Sequence, residues 1–154
     1  MMDKPVSPLS AQDIAEKSSA IMMTKDIAAR TLGMVLSDVK PGGCTMTMKV
    51  QPTHLNGHGI CHGGYIFTLA DTAFAFACNS YNQLAVAQHN TISFVAPGKP
   101  DETLKAVAVE SYRSGRSGIY DVTVTGEDGR MIAQFRGCSR TIKGTHFDMN
   151  EDET

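Results

Sequence analysis

Residues 64–78 read GYIFTLADTAFAFAC, and this stretch decides the fold. After its leading glycine it is apolar or small, broken only by Thr68, Asp71 and Thr72. A helix apolar on nearly every side is a buried helix. This one is too short to span a bilayer, so its burial must be inside protein. Asp71 then falls mid-helix, beside Leu69, Ala70, Ala73, Phe74 and Ala75. An unpaired carboxylate there costs about 2–5 kcal/mol of desolvation unless its pKa rises or it finds donors. A helix needed only for a core would carry Leu or Ala at that position. Asp71 is the residue to explain.

Working outward, the helix is preceded by QPTHLNGHGICHGG (51–64), a loop dense in Gly, His and Asn. Before that loop, MVLSDV, KPGG and CTMTMKV (34–50) read as two strands joined by a tight glycine turn. In the second strand Cys44, Met46, Met48 and Val50 alternate with Thr45, Thr47 and Lys49, giving one buried face. After a polar turn at 79–82 come LAVAQHNTISFV (84–95), TLKAVAVESYR (103–113), RSGIYDVTVTGE (116–127) and MIAQFRGCSRTI (131–142). Asp128-Gly129 is a strong hairpin signal, and the short connections imply an antiparallel meander. One long buried helix among such strands must be wrapped by the sheet. The expected class is α+β, a hotdog fold: a curved antiparallel sheet around one long central helix.

At the ends, Ser10 opens a helix with Asp13 in its first turn. Ile14, Ile21, Met22, Ile27 and Ala28 give it an irregular apolar stripe, so it is expected on the outside of the fold. The start, MMDKPVSPLS, reads as a loose arm, and the acidic end, THFDMNEDET (145–154), as disordered. The expected division is an arm and helix over 1–33, a hotdog domain over 34–143 and an acidic flexible tail over 144–154.

The 154 residues suit one domain with a full core. With 14 Lys and Arg against 16 Asp and Glu, mixed along the chain, no concentrated basic face points to nucleic acid. No stretch resembles a signal peptide or a membrane span. Cys44, Cys61, Cys78 and Cys138 are widely spaced, which fits reduced thiols of a cytoplasmic protein.

The stretch LNGHGICHGGYIFTLADTAFAFACNS (55–80) closely resembles the central motif of the PaaI-type thioesterases, the phenylacetate-pathway branch of the hotdog superfamily. NTISFVAPG, SGIYDVTVT and AQFRGCSRTI extend the resemblance across roughly Met34 to Lys143. It implies hydrolysis of acyl-CoA thioesters, aryl-acetyl ones such as phenylacetyl-CoA among them, by a homo-oligomer. The family pattern falls on Asn56, His62, Gly63, Asp71 and Thr72. In the family the aspartate is nucleophile or general base and the glycine amide holds the oxyanion.

The residues support that chemistry independently. Thioester hydrolysis needs an oxyanion donor and a base or nucleophile on opposite sides of one carbonyl. Gly63 and Gly64 stand where the first helical N–H groups lack intrahelical partners. They lack side chains, and the helix dipole adds positive potential. Gly63 and Asp71 lie eight positions apart, roughly 12 Å along a helix, so one helix cannot bring both to one carbonyl. A second copy running antiparallel across a two-fold axis would. The expected assembly is a homodimer with shared sites, its dimers pairing into a homotetramer.

Other residues carry two readings. Asn56 either orients water or the carbonyl, or is half of an Asn-Gly turn. His62 either positions Asn56 and the thiolate leaving group, or makes a local cap. Thr72 either serves the Asp71 water or bonds back to the i−4 carbonyl. Within YRSGRSG, Arg113, Arg116, Ser117 and Gly118 suit CoA phosphates and pantetheine, or form an ordinary solvated turn. His54, His58 and His62, with Cys61 adjacent, raise a zinc site. Pro52, Gly57 and Gly59 argue against the helix it needs, so neither metal nor cofactor is expected. Two rival functions remain: a hotdog hydratase or dehydratase using Asp71 and His62, and a non-catalytic acyl-CoA sensor.

Overall fold

The structure, a computed structural model, describes residues 8–150. The arm expected over the first seven residues lies outside them, as do the last four residues of the acidic end. Helix α1 spans Ala11–Lys25 and α2 Ile27–Thr31. Strands β1 (Val35–Lys40) and β2 (Gly43–Lys49) follow, then a short 3-10 turn, Pro52–His54. The central helix α3 spans Gly63–Cys78, starting one residue earlier than its composition suggested. Strands β3 (Ala85–Phe94), β4 (Thr103–Ser114), β5 (Ser117–Thr125) and β6 (Met131–Thr141) complete the chain.

The six strands form one antiparallel sheet in the order β1-β2-β4-β5-β6-β3. It is an α+β hotdog fold, with α3 packed on β2 through β6. The strands after the helix are not a simple meander. β3 crosses to the far edge and pairs with the last strand, Ile92 opposite Phe135. A bulge at Gln88, between the Ala87–Ser139 and His89–Cys138 pairs, sets its register. Its other edge has no partner strand among the described residues. Val86 and Phe94 are about half exposed on that strand, as is Val95 just past its end.

The core lies where α3 meets the concave face. Cys44, Met46, Met48 and Val50 are all buried, as their alternation requires. The Phe74 ring packs 5.8 Å from Phe135 and 5.6 Å from Tyr120, centroid to centroid. Gly137 makes this possible, since a Cβ there would sit 2.8 Å from the Phe74 ring. Phe67 and Phe76 also belong to this packing.

Two expectations at the ends need correction. The N-terminal helix, capped by Ser10 and Asp13, does lie outside the sheet, against β1. It breaks at Asp26, however, because the Asp26 carboxylate accepts the Ala29 N–H at 2.9 Å and starts α2. Its buried stripe is Ala15, Ser18 and Ser19 rather than the larger residues. The chain after Gly144 is not loose throughout. Asn82 accepts the N–H groups of His146 and Phe147 and donates to the Phe147 carbonyl. The Lys17 ammonium also lies 4.5 Å from the Phe147 ring centroid.

Candidate active site

The loop before α3 folds back on itself and is pinned to its neighbours. Leu55 bridges Cys61, Asn56 N–H donates to Ile60 O, and Cys61 N–H donates to Gly98 O. His54 is buried, stacks 4.5 Å from Tyr65, and its carbonyl accepts the His62 N–H. These contacts fix the direction in which α3 begins.

The N–H groups of the first turn of α3 are engaged unevenly. Tyr65 and Ile66 donate to the His62 carbonyl. Gly64 donates to His62 Nδ1 at 2.8 Å, so His62 is the helix N-cap. That bond makes Nδ1 an acceptor and places the proton of a neutral ring on Nε2. Gly63 N–H has no acceptor among the described residues. It borders an open pocket of about 420 Å³ formed by Asn56, Ile60, Cys61, Ile66, Phe94 and Pro97, among others. The Phe94 ring covers Gly63, and a Cβ on that glycine would stand 3.1 Å from it.

Asn56 is both a turn residue and a pocket residue. Its Oδ1 accepts from His58 N–H at 2.9 Å and Ile60 N–H at 3.4 Å. The opposite end of the amide, Nδ2, has no acceptor among the described residues. The far side of the pocket is fixed by Arg130, which donates to the Pro97 carbonyl at 2.8 Å and pairs with the Glu102 carboxylate. Burial alone would raise the Glu102 pKa. Arg130 and the N–H groups of Lys99 and Glu127 outweigh it and hold the carboxyl below its usual range.

Asp71 is half-buried on α3. Burial pushes its carboxyl above the ordinary aspartate value, the Asn90 amide bonded to it pulls the other way, and Asp26 adds an upward push. Asn90 Nδ2 donates to Asp71 Oδ1 at 2.9 Å. Thr72 does not reach Asp71: its hydroxyl donates to the Thr68 carbonyl at 2.7 Å, the back-bonded reading. Burial and Glu102 raise the Cys61 thiol to about 11, which leaves it a protonated wall of the pocket rather than a nucleophile. Among the described residues no group of three His, Cys, Asp or Glu is arranged to hold a metal ion.

Within one chain, therefore, Gly63, Asn56 and His62 stand together at the start of α3, and Asp71 stands two turns away. Arg113, Arg116, Ser117 and Gly118 gather at a third place, a narrow cleft beside Cys78 at the opposite end of the helix. There the Arg113 guanidinium lies 3.5 Å over the Tyr81 ring, and Arg116 donates twice to the Thr141 carbonyl.

Residues 58–133 match the model of the thioesterase superfamily. The chain is 40% identical over 131 residues to the acyl-coenzyme A thioesterase PaaI of Escherichia coli K12, covering 85% of this chain and 94% of that one. The chain belongs to the thioesterase superfamily, as a PaaI-type member. The structure of the E. coli PaaI protein from the phenylacetic acid degradation operon superposes with TM-score 0.87 at 40% identity, covering 88% of this chain and 99% of that one. A Streptococcus mutans UA159 protein solved with acetyl-CoA bound matches at TM-score 0.69 and 27% identity, covering 73% of this chain and 90% of that one. This PaaI-type protein is thus a thioester hydrolase, which favours hydrolysis over the hydratase and sensor alternatives. No helix among its described residues is long and apolar enough to cross a membrane.

Nothing in the sequence marks Asn90 or Phe94 as residues of the site. Both face α3 from β3, where residues 90, 92 and 94 share one side of the strand. That alternation was visible in HNTISF, but the strand's place at the sheet edge was not.

Proposed function

We propose that this enzyme hydrolyses acyl-CoA thioesters to the free acid and CoA, with aryl-acetyl groups such as phenylacetyl as the acyl class. The observation that carries this reading is the unengaged Gly63 N–H at the start of a buried helix, opening into an apolar pocket. A thioester carbonyl seated there meets a positive helix end and an amide donor. Asn56 Nδ2 supplies a second donor from the same wall. Asp71 either removes a proton from water as the water oxygen attacks the carbonyl carbon, or attacks directly to give a mixed anhydride that water then opens. In both routes the carbon–sulfur bond breaks and the CoA thiolate leaves, taking up a proton. Every role is filled by the chain's own groups, with no metal or cofactor beyond the CoA of the substrate.

Gly63 and Asp71 are separated by two helical turns, about 12 Å, so we place the working site across a two-fold axis. The partner's Asp71 then stands beside Gly63, two sites to a dimer. The unpaired edge of β3 and its exposed Val86 and Phe94 support that placement, because an open apolar edge is a ready pairing surface. Pairing of dimers would give the tetramer. The cleft of Arg113, Arg116, Ser117 and Gly118 would take the CoA phosphates, its two guanidiniums already held by Tyr81 and Thr141. The four free thiols fit a reducing, cytoplasmic setting.

The test follows thiol release from a panel of acyl-CoAs by wild type and Asp71→Asn, with binding of a non-hydrolysable analogue measured in both. A fall of about a hundredfold in turnover, about 2.7 kcal/mol of barrier, with binding retained is expected. Binding without wild-type turnover would overturn the reading.

A further inference from the structure

Asn90 occupies an odd position for an amide. Its Nδ2 is spent on Asp71 Oδ1 at 2.9 Å, while its own Oδ1 is buried with no hydrogen-bond partner among the described residues. An unpaired buried acceptor is a standing cost, and an apolar side chain on the same inward face would avoid it. The arrangement is explained if what matters is the donor end.

We propose that Asn90 is a positioning residue: its amide grips Asp71 Oδ1, fixes the carboxylate rotamer, and leaves Oδ2 as the oxygen that meets water or the thioester. The inference rests on Asp71 being the base or nucleophile. Among the described residues no other side chain donates a hydrogen bond to Asp71. Thr72, the adjacent hydroxyl, is committed to Thr68. The ionisable groups acting with Asp71 are Asp26, from the α1–α2 junction, and the Cys78 thiol on α3 itself. Asp26 repels the ionised carboxylate, and the Cys78 thiol donates to the Ala75 carbonyl. Asn90 donates to the ionised carboxylate, so it favours the reactive form against burial and Asp26.

The test measures kcat and KM against pH for wild type, Asn90→Ala, Asn90→Asp and Asp71→Asn, with thermal melts of each. Asn90→Asp keeps the shape but donates nothing when ionised, so it separates the hydrogen bond from packing. In Asn90→Ala the acid limb of kcat should move to higher pH and plateau kcat should fall by about tenfold to a hundredfold, a misplacement-sized loss. In Asn90→Asp, where a second carboxylate faces Asp71, the limb should move further. KM should change little in either. Acid limbs that coincide with wild type in whichever of the two variants folds would overturn the proposal, however slow the variant. Wild-type turnover in Asp71→Asn would instead remove the Asp71 reading itself.

Discussion

His62 Nδ1 and Gly64 N–H are joined by a 2.8 Å hydrogen bond, and this bond decides which glycine amide is available at the start of α3. With Gly64 engaged, Gly63 alone of the first turn's N–H groups is left to meet a carbonyl. Removing an N-cap side chain costs about 1 kcal/mol. His62→Ala should therefore lower the thermal midpoint and the turnover together. His62→Asn, which can still cap, should recover both. Stability recovered without turnover would assign His62 to the leaving group instead of to the cap.

Gly63→Ala separates the proposed oxyanion donor from the fold. Gly63 has no left-handed backbone angle to forbid alanine, and its Cβ would meet only the ring of the Phe94 side chain, at 3.1 Å, a contact that a few tenths of an ångström of ring movement relieves. Stability should change by less than about 1 kcal/mol. The methyl would stand beside the amide, and kcat/KM should fall by about a hundredfold, the scale of one lost oxyanion donor. Adding Phe94→Ala should relieve the crowding without restoring the rate.

Asp71 carries a thermodynamic signature opposite to that of most carboxylates. Its folded pKa is raised above the ordinary 3.8, by burial first and by Asp26, with Asn90 opposing. The folded chain therefore holds the proton more tightly than the unfolded chain. That contribution favours folding below the unfolded pKa and is lost as pH rises through the folded one. Asp71→Asn should thus be more stable than wild type near neutral pH, with the difference shrinking in acid. Chemical denaturation at several pH values checks the sign. A variant that is inactive yet more stable is the pattern expected of a site kept for function.

Glu102 has the ordinary sign. It is 7% exposed, and Arg130 with two backbone donors holds its pKa below the usual value against the pull of burial. Its stabilisation is present above the unfolded glutamate pKa and is lost as pH falls through the folded one. Arg130→Ala leaves that carboxylate with its two backbone donors alone and should lower stability near neutral pH, and less so in acid. Glu102→Gln in the same background should return part of the loss. Because Arg130 also holds the Pro97 carbonyl at the pocket rim, the single variant should also raise KM.

Much of this is legible in the sequence. The run around Asp71 admits no fold but a buried helix, and the Cys44-to-Val50 alternation names one buried face. Gly63, Asn56 and His62 are close in sequence, so their neighbourhood needed no topology. What escaped depends on strand order. Asp71 and Asn90 are 19 positions apart and meet only because β3 pairs with β6 rather than with β4. The end after Gly144 was misjudged from its polarity. Asn82, held at a positive φ of 53°, turns its side chain to anchor that segment through three hydrogen bonds, and composition carries no sign of them.

Strand β3 acts as a gauge laid along α3. Asn90 marks Asp71 and Phe94 marks Gly63, so four strand residues match eight helix residues. At about 3.3 Å and 1.5 Å per residue, both spans come to roughly 12–13 Å. The two halves of the proposed chemistry are thereby measured off against a single strand. The loop before α3 can drift in length without disturbing that distance. One residue inserted between 90 and 94 would turn either Asn90 or Phe94 away from the helix, unless a second bulge like that at Gln88 took it up.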